Sequence, residues 1–165
     1  MEERPVIKIE LTITDKILEI MSWFFIVAIW IMVLASYSKL PDTIPTHYNG
    51  AGQIDAYGGK ESILILPFIG TVLFIGLSVL NKFPQVYNYP TNITEDNVLR
   101  QYTYATRMNR YLKSIVVLIF LVIAFEEIKD ANRKSGGLGI WFLPILIGLN
   151  LIPVIYFIVK SVKAK

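Results

Sequence analysis

"IMSWFFIVAIWIMVLASY" (residues 20–37) runs for eighteen residues without a charge. Coiled as a helix at 1.5 Å per residue, it comes close to spanning the roughly 30 Å hydrocarbon core of a bilayer. Two more runs behave alike, "SILILPFIGTVLFIGLSVLN" (62–81) and "GIWFLPILIGLNLIPVIYFIV" (139–159). The charges fall between these blocks. With 54% hydrophobic and only 18% charged residues, a chain of 165 residues has too little polar surface to clothe a soluble domain. Lipid is therefore the expected solvent.

The first run is not expected to be a cleaved signal. It follows a segment holding eight charged residues, and no small-x-small cleavage site comes after it. The absence of cysteine rules out a disulfide framework and thiolate metal sites. The net charge of +3 is spread along the chain, which fits basic loops beside a membrane and not a nucleic-acid binder.

A fourth helix is harder to see. Ser114 to Phe125 is apolar for only twelve residues, but the helical pattern continues upstream. Val98, Tyr102, Ala105, Met108 and Leu112 share one face, with Arg100, Arg107 and Arg110 broadly opposite. Thr94, Glu95 and Asp96 suit a helix start. One long helix over about 95–129 is predicted, its first half at the interface and its second half crossing. Arg100, Arg107, Arg110 and Lys113 are then expected to reach anionic lipid headgroups.

The expected architecture is an all-α integral membrane protein forming one domain, 1–165. Its helices cover about 15–37, 62–81, 95–129 and 139–160, with an ordered loop at 38–61. Thr14 and Asp15 look like the cap of the first helix. Before it, "IKIELTIT" (7–14) alternates apolar and polar residues, an extended segment expected to pack on its own membrane domain or, failing that, to pair with another subunit. Pro67, Gly70 and Gly76 permit a kink and close packing in the second helix. Asn150, between Pro144 and Pro153, is expected to face a neighbouring helix or a wet cavity. Placing both termini in the cytoplasm puts eleven Lys and Arg inside against five outside. The loop 38–61 then faces outward at the cytoplasmic (inner) membrane, and the glycosylation-like Asn92 lies inside.

That loop, "YSKLPDTIPTHYNGAGQIDAYGGKES" (37–62), holds the only histidine. Pro41 and Pro45 keep the residues before them extended, while Asn49-Gly50, Gly52 and Gly58-Gly59 punctuate it with turns. A compact shape is predicted. Asp42, His47 and Asp55 within it, with Glu126 and Glu127 from the third helix on the same side, are candidates for a metal or for acid–base work. No HExxH or second histidine supports this, so the favoured reading of His47 is a structural or surface hydrogen bond. Glu126 and Glu127 read as an interfacial helix end, the alternative being that one of them turns inward as a loop anchor or ion ligand. The residues name no cofactor.

The loop closely resembles the Leu-Pro-x-x-Ile-Pro-x-His-[aromatic]-Asn…Gly-x-x-Asp-x-[aromatic]-Gly-x-Lys pattern of a family of small prokaryotic membrane proteins. That family is catalogued as a domain of unknown function and is found at the N-terminal end of SdpI-type toxin immunity proteins. The matching residues are Leu40, Pro41, Ile44, Pro45, His47, Tyr48, Asn49, Gly52, Asp55, Tyr57, Gly58 and Lys60. The resemblance covers roughly residues 12–125 and implies protection against a secreted toxin or sequestration of a partner at the membrane. The chain has no room for the second membrane domain of the immunity proteins.

Three function classes follow. The favoured one is a non-enzymatic protein whose rigid loop recognises a ligand, an extracellular peptide toxin or a membrane partner through Asp42, His47, Tyr48, Asn49, Asp55, Tyr57 and Lys60. The second is a small transporter or ion pathway acting as a homodimer. The third is a metal-assisted enzyme at the outer face, built on His47, Asp42, Asp55 and Glu126.

Overall fold

The computed structural model describes residues 4–133 and 136–164. Four long helices carry one small antiparallel hairpin: α1 (Ile13–Tyr37), β1 (Thr43–Tyr48), β2 (Ile54–Gly59), α2 (Ile65–Leu80), α3 (Val98–Arg133) and α4 (Phe142–Lys163). The all-α expectation is thus corrected in the loop. Extended residues held by Pro41 and Pro45 pair with 54–59 instead of winding irregularly. The span 60–80, and α1 and α4, are long and apolar enough to cross a membrane. Large side chains such as Phe24, Ile31, Phe68 and Ile152 stand exposed along them. In water such faces would aggregate, whereas in lipid they meet their solvent.

α1 starts earlier than its sequence suggested. Thr12 is the cap, and Asp15 lies at the third helical position, where its carboxylate accepts the Thr12 N–H at 2.9 Å. The Asp15 N–H points back to the Thr12 hydroxyl, completing a capping box. The buried stripe then runs Asp15, Leu18, Ser22, Ile26, Ile29, Val33, a helical period that is polar at its first turns and apolar above.

α2 is preceded by a 3₁₀ turn, Lys60–Leu64. Pro67 therefore falls in the first α-helical turn, where a missing N–H leaves no bond unmade, and the expected kink has no cause there. Gly70 lets α2 approach Ile26 and Phe120, with a Cβ placed at ordinary contact distance, 3.7–3.8 Å.

α3 is the axis. It begins at Val98, after a turn in which the Thr94 N–H donates to Asn97 Oδ1 at 2.9 Å. Its buried residues include Tyr102, Val117 and Ala124, but also Gln101, Thr106, Asn109, Arg110, Lys113 and Ser114. α1 packs along it in parallel: Asp15 meets Arg107 at one end, and the Ser22 and Ser114 hydroxyls lie 2.7 Å apart further along. Asn109 Nδ2 donates to Leu77 O of α2 at 2.9 Å. α4 joins through Gln101 Nε2, which donates to Ser161 O at 2.9 Å, and through Tyr111 against Phe157.

Residues 4–11 form no strand among the described residues. The segment lies on its own domain: Arg4 donates to the carbonyls of Gln85 and Tyr87, and Pro5 O accepts from the Tyr102 hydroxyl. Ile7 and Ile9 are half-buried while Lys8 and Glu10 are exposed, but Leu11 and Ile13 are exposed as well, so the period of two holds only over 7–10. Asn150 is half-buried. Its Nδ2 donates at 2.8 Å to Leu146 O of its own helix.

Candidate functional site

The hairpin sits at the end of the bundle away from the termini, and its base is part of the core. Leu40, Ile44 and Ile63 pack in one cluster with Ile29, Val33, Val117 and Ala124. At its tip the chain reverses through Gly50, Ala51 and Gly52. Asn49 N–H donates to Gln53 O and Gly52 N–H to Asn49 O, both at 2.8 Å. The Asn49 side-chain oxygen accepts from the N–H groups of Ala51 and Gln53. Gly52 takes the left-handed conformation at φ 74°, the usual closure of a three-residue connection. The Gly52 carbonyl accepts the Leu138 N–H at 2.8 Å, which ties the tip to the segment before α4.

The ladder is irregular on both sides of His47, where Thr46 and Asp55 drop out of the pairing. Such bulges re-aim side chains. Here they bring His47 Nδ1 within 2.5 Å of Asp55 Oδ1, both side chains facing solvent. Asp42 pairs with Lys60 at 2.9 Å across the hairpin base, and Glu126 with Lys129 at 2.7 Å. The four candidate metal ligands are thus divided among separate pairs. Among the described residues no three His, Asp or Glu side chains converge as a metal-holding group. Tyr57 is exposed on the hairpin face.

Tyr48 reaches the other way. Its hydroxyl donates to Asp130 Oδ2 at 3.1 Å, joining β1 to the end of α3. Burial, and then the Asp130 charge, push the phenol well above its ordinary range, so it stays a donor across the physiological range. Tyr48→Phe is expected to lower stability by about 1–2 kcal/mol and to speed amide exchange around residues 46–50. Exchange identical to wild type would show that the bond does not hold the hairpin.

Beneath the hairpin lies a cleft of about 300 Å³ between β1, the start of α2, the end of α3 and the start of α4. His47 and Asn49 form its polar rim, Leu66, Ile123 and Phe142 its apolar walls. Glu127 also lines it, and is only 5% exposed. Of the two adjacent glutamates, the structure separates one that is paired near the surface from one turned inward.

The basic stripe of α3 does not form a headgroup face. Arg107 Nε lies 2.9 Å from Asp15, Arg110 Nε 3.1 Å from Glu19, and Lys113 Nζ 2.6 Å from Glu19 and 3.0 Å from Ser78. Lys113 is fully buried, with its ammonium over the Phe74 ring. Arg100 alone of the four stays on the surface. Asp15 and Glu19, four residues apart on α1, draw the others inward. Of these two acids, Glu19 was not singled out from sequence and Asp15 was read only as part of the helix cap. The signal was there, because Asp15 and Ser22 continue the buried stripe of α1.

Residues 24–71, from α1 through the hairpin into α2, match the family described as Domain of unknown function (DUF1648). An uncharacterized protein of Archaeoglobus fulgidus is 30% identical over 159 residues, covering 89% of this chain and 87% of that protein. No solved structure matches the chain. A match over nearly the whole of both chains means a shared fold, so this chain belongs to the same family as the archaeal protein and carries the domain of unknown function across α1, the hairpin and the start of α2.

Proposed function

We propose that the protein is a non-enzymatic membrane protein whose hairpin stands on the extracytoplasmic side and recognises a ligand or partner there. One observation carries this reading. The hairpin is fixed at three separate points: its base in the helix core, Tyr48 on Asp130, and Gly52 on Leu138. A segment so constrained loses little entropy on binding, which is what a recognition surface needs. α3 is the fourth crossing helix in this reading, its charges sheltered by α1. The excess of eleven Lys and Arg over five supports termini in the cytoplasm. The loop's likeness to SdpI-type immunity proteins supports a toxin or a membrane partner as the target.

Because the chain has no cysteine, a single one at the exposed Gln53 reports the hairpin's side without background. Gln53→Cys is expected to react with an impermeant maleimide in intact cells. Reaction only after lysis would overturn the orientation. In cells challenged with membrane-active peptide toxins, Asp55→Ala is expected to lose protection at unchanged membrane abundance, and full protection would reduce the hairpin to a structural cap.

A further inference from the structure

Glu127 stands apart from the other acids at the hairpin end of the molecule, of which Glu61 faces solvent. Glu126 has Lys129, Asp130 has Tyr48, Asp55 has His47, and Asp42 has Lys60. Among the described residues neither a hydrogen-bond donor nor a cation reaches the Glu127 carboxylate, although the side chain is nine-tenths buried. A carboxylate withdrawn from water without a partner is strongly unfavourable. A cation from outside the chain would complete it, and Glu127 lines a cleft beneath the hairpin.

We infer that this cleft binds an amphiphilic organic cation, its ammonium or guanidinium group on Glu127 and its apolar part along Leu66, Ile123 and Phe142. The inference rests on the recognition reading above and names the class of ligand. The cleft's volume, about 300 Å³, is that of a small ligand site. Its walls are mostly apolar, with Thr46, His47, Tyr48 and Asn49 as the other polar side chains. A metal ion would need several hard ligands held together, and the described residues offer no such set. An alkyl- or arylammonium needs a single buried acceptor and an apolar sleeve.

The probe is phenethylammonium, titrated into the full chain in lipid nanodiscs, with 2-phenylethanol and phenylacetate as comparators of the same shape. Saturable binding of the cation is expected, at least tenfold tighter than either comparator. Glu127→Gln, which keeps the shape of the side chain, is expected to weaken it tenfold or more, and Glu126→Gln to leave it unchanged. Ile123→Trp, which fills the cleft, is expected to abolish it while Glu127 remains. Equal affinity for all three probes, undiminished binding by Glu127→Gln, or no saturable binding of the cation would each overturn the inference. Failure here is distinguishable from failure of the recognition reading. The latter is decided by maleimide labelling at position 53 and by Asp55→Ala, neither of which touches Glu127.

Discussion

Glu19→Ala is expected to destabilise the protein by about 3–5 kcal/mol, the range found when a buried ion pair loses one partner. The size follows from what is left behind. Lys113 is fully enclosed, with its ammonium 2.6 Å from Glu19, and Arg110 is nearly as deeply placed, 3.1 Å from the same carboxylate. Removing Glu19 leaves the ammonium with only the Ser78 hydroxyl and the Phe74 ring, and the guanidinium with Asp15 at 3.8 Å. Lys113→Met should be milder. It deletes the buried charge itself, keeps an apolar stem of similar length, and leaves Glu19 both paired to Arg110 and 29% exposed. The double variant Glu19→Ala/Lys113→Met should therefore be more stable than Glu19→Ala alone. The midpoint of thermal unfolding in detergent measures this, with a fall of roughly 10 °C expected for Glu19→Ala. A larger fall for Lys113→Met would mean that the network does not shelter the lysine.

Gly52→Ala should release the hairpin tip. The residue holds φ 74°, where a Cβ is strained, and that Cβ would stand 2.4–2.7 Å from the backbone of Gly139. Backbone cannot move aside as a side-chain end can, so the tip must swing away and lose the Leu138 N–H to Gly52 O bond. Strain and the lost bond together cost about 2–4 kcal/mol. The effect is local. Amide exchange at Leu138 should rise by one to two orders of magnitude, while the α1–α3 pairing stays protected. Gly50→Ala is the control, since a Cβ there meets nothing within 4 Å and the backbone carries no positive φ. Equal responses from the two glycines would disprove the packing of the tip.

Much of this architecture was legible along the chain. An uncharged run of eighteen residues is a local property, and so is a turn written Asn-Gly-Ala-Gly between prolines. The three apolar helices and the compactness of 38–61 could be read for that reason. α3 was read as one helix over about 95–129 and is found at Val98–Arg133, but the place of its charges was missed because hydropathy averages over a helix without knowing which face is covered. Lys113 and Arg110 lower the average as if they met lipid, whereas Asp15 and Glu19 of α1 cover them. The candidate site was legible as a set of residue types but not as a set of partners. His47 and Asp55 are eight apart and meet only because the ladder slips on both sides of His47. Glu126 and Glu127 are neighbours in sequence, yet 100° of helical turn sends one to Lys129 and the other into the cleft.

Solvent and the long apolar helices, then, were legible in the sequence alone, because transfer from water to lipid acts on consecutive residues, whereas the pairing of β1 with β2 was not. Which charges are buried, which acid lacks a partner, and what the hairpin rests on were decided only when α1 and α3 packed. Those outcomes depend on pairs about ninety positions apart, such as Asp15 with Arg107, whose distance no local pattern encodes.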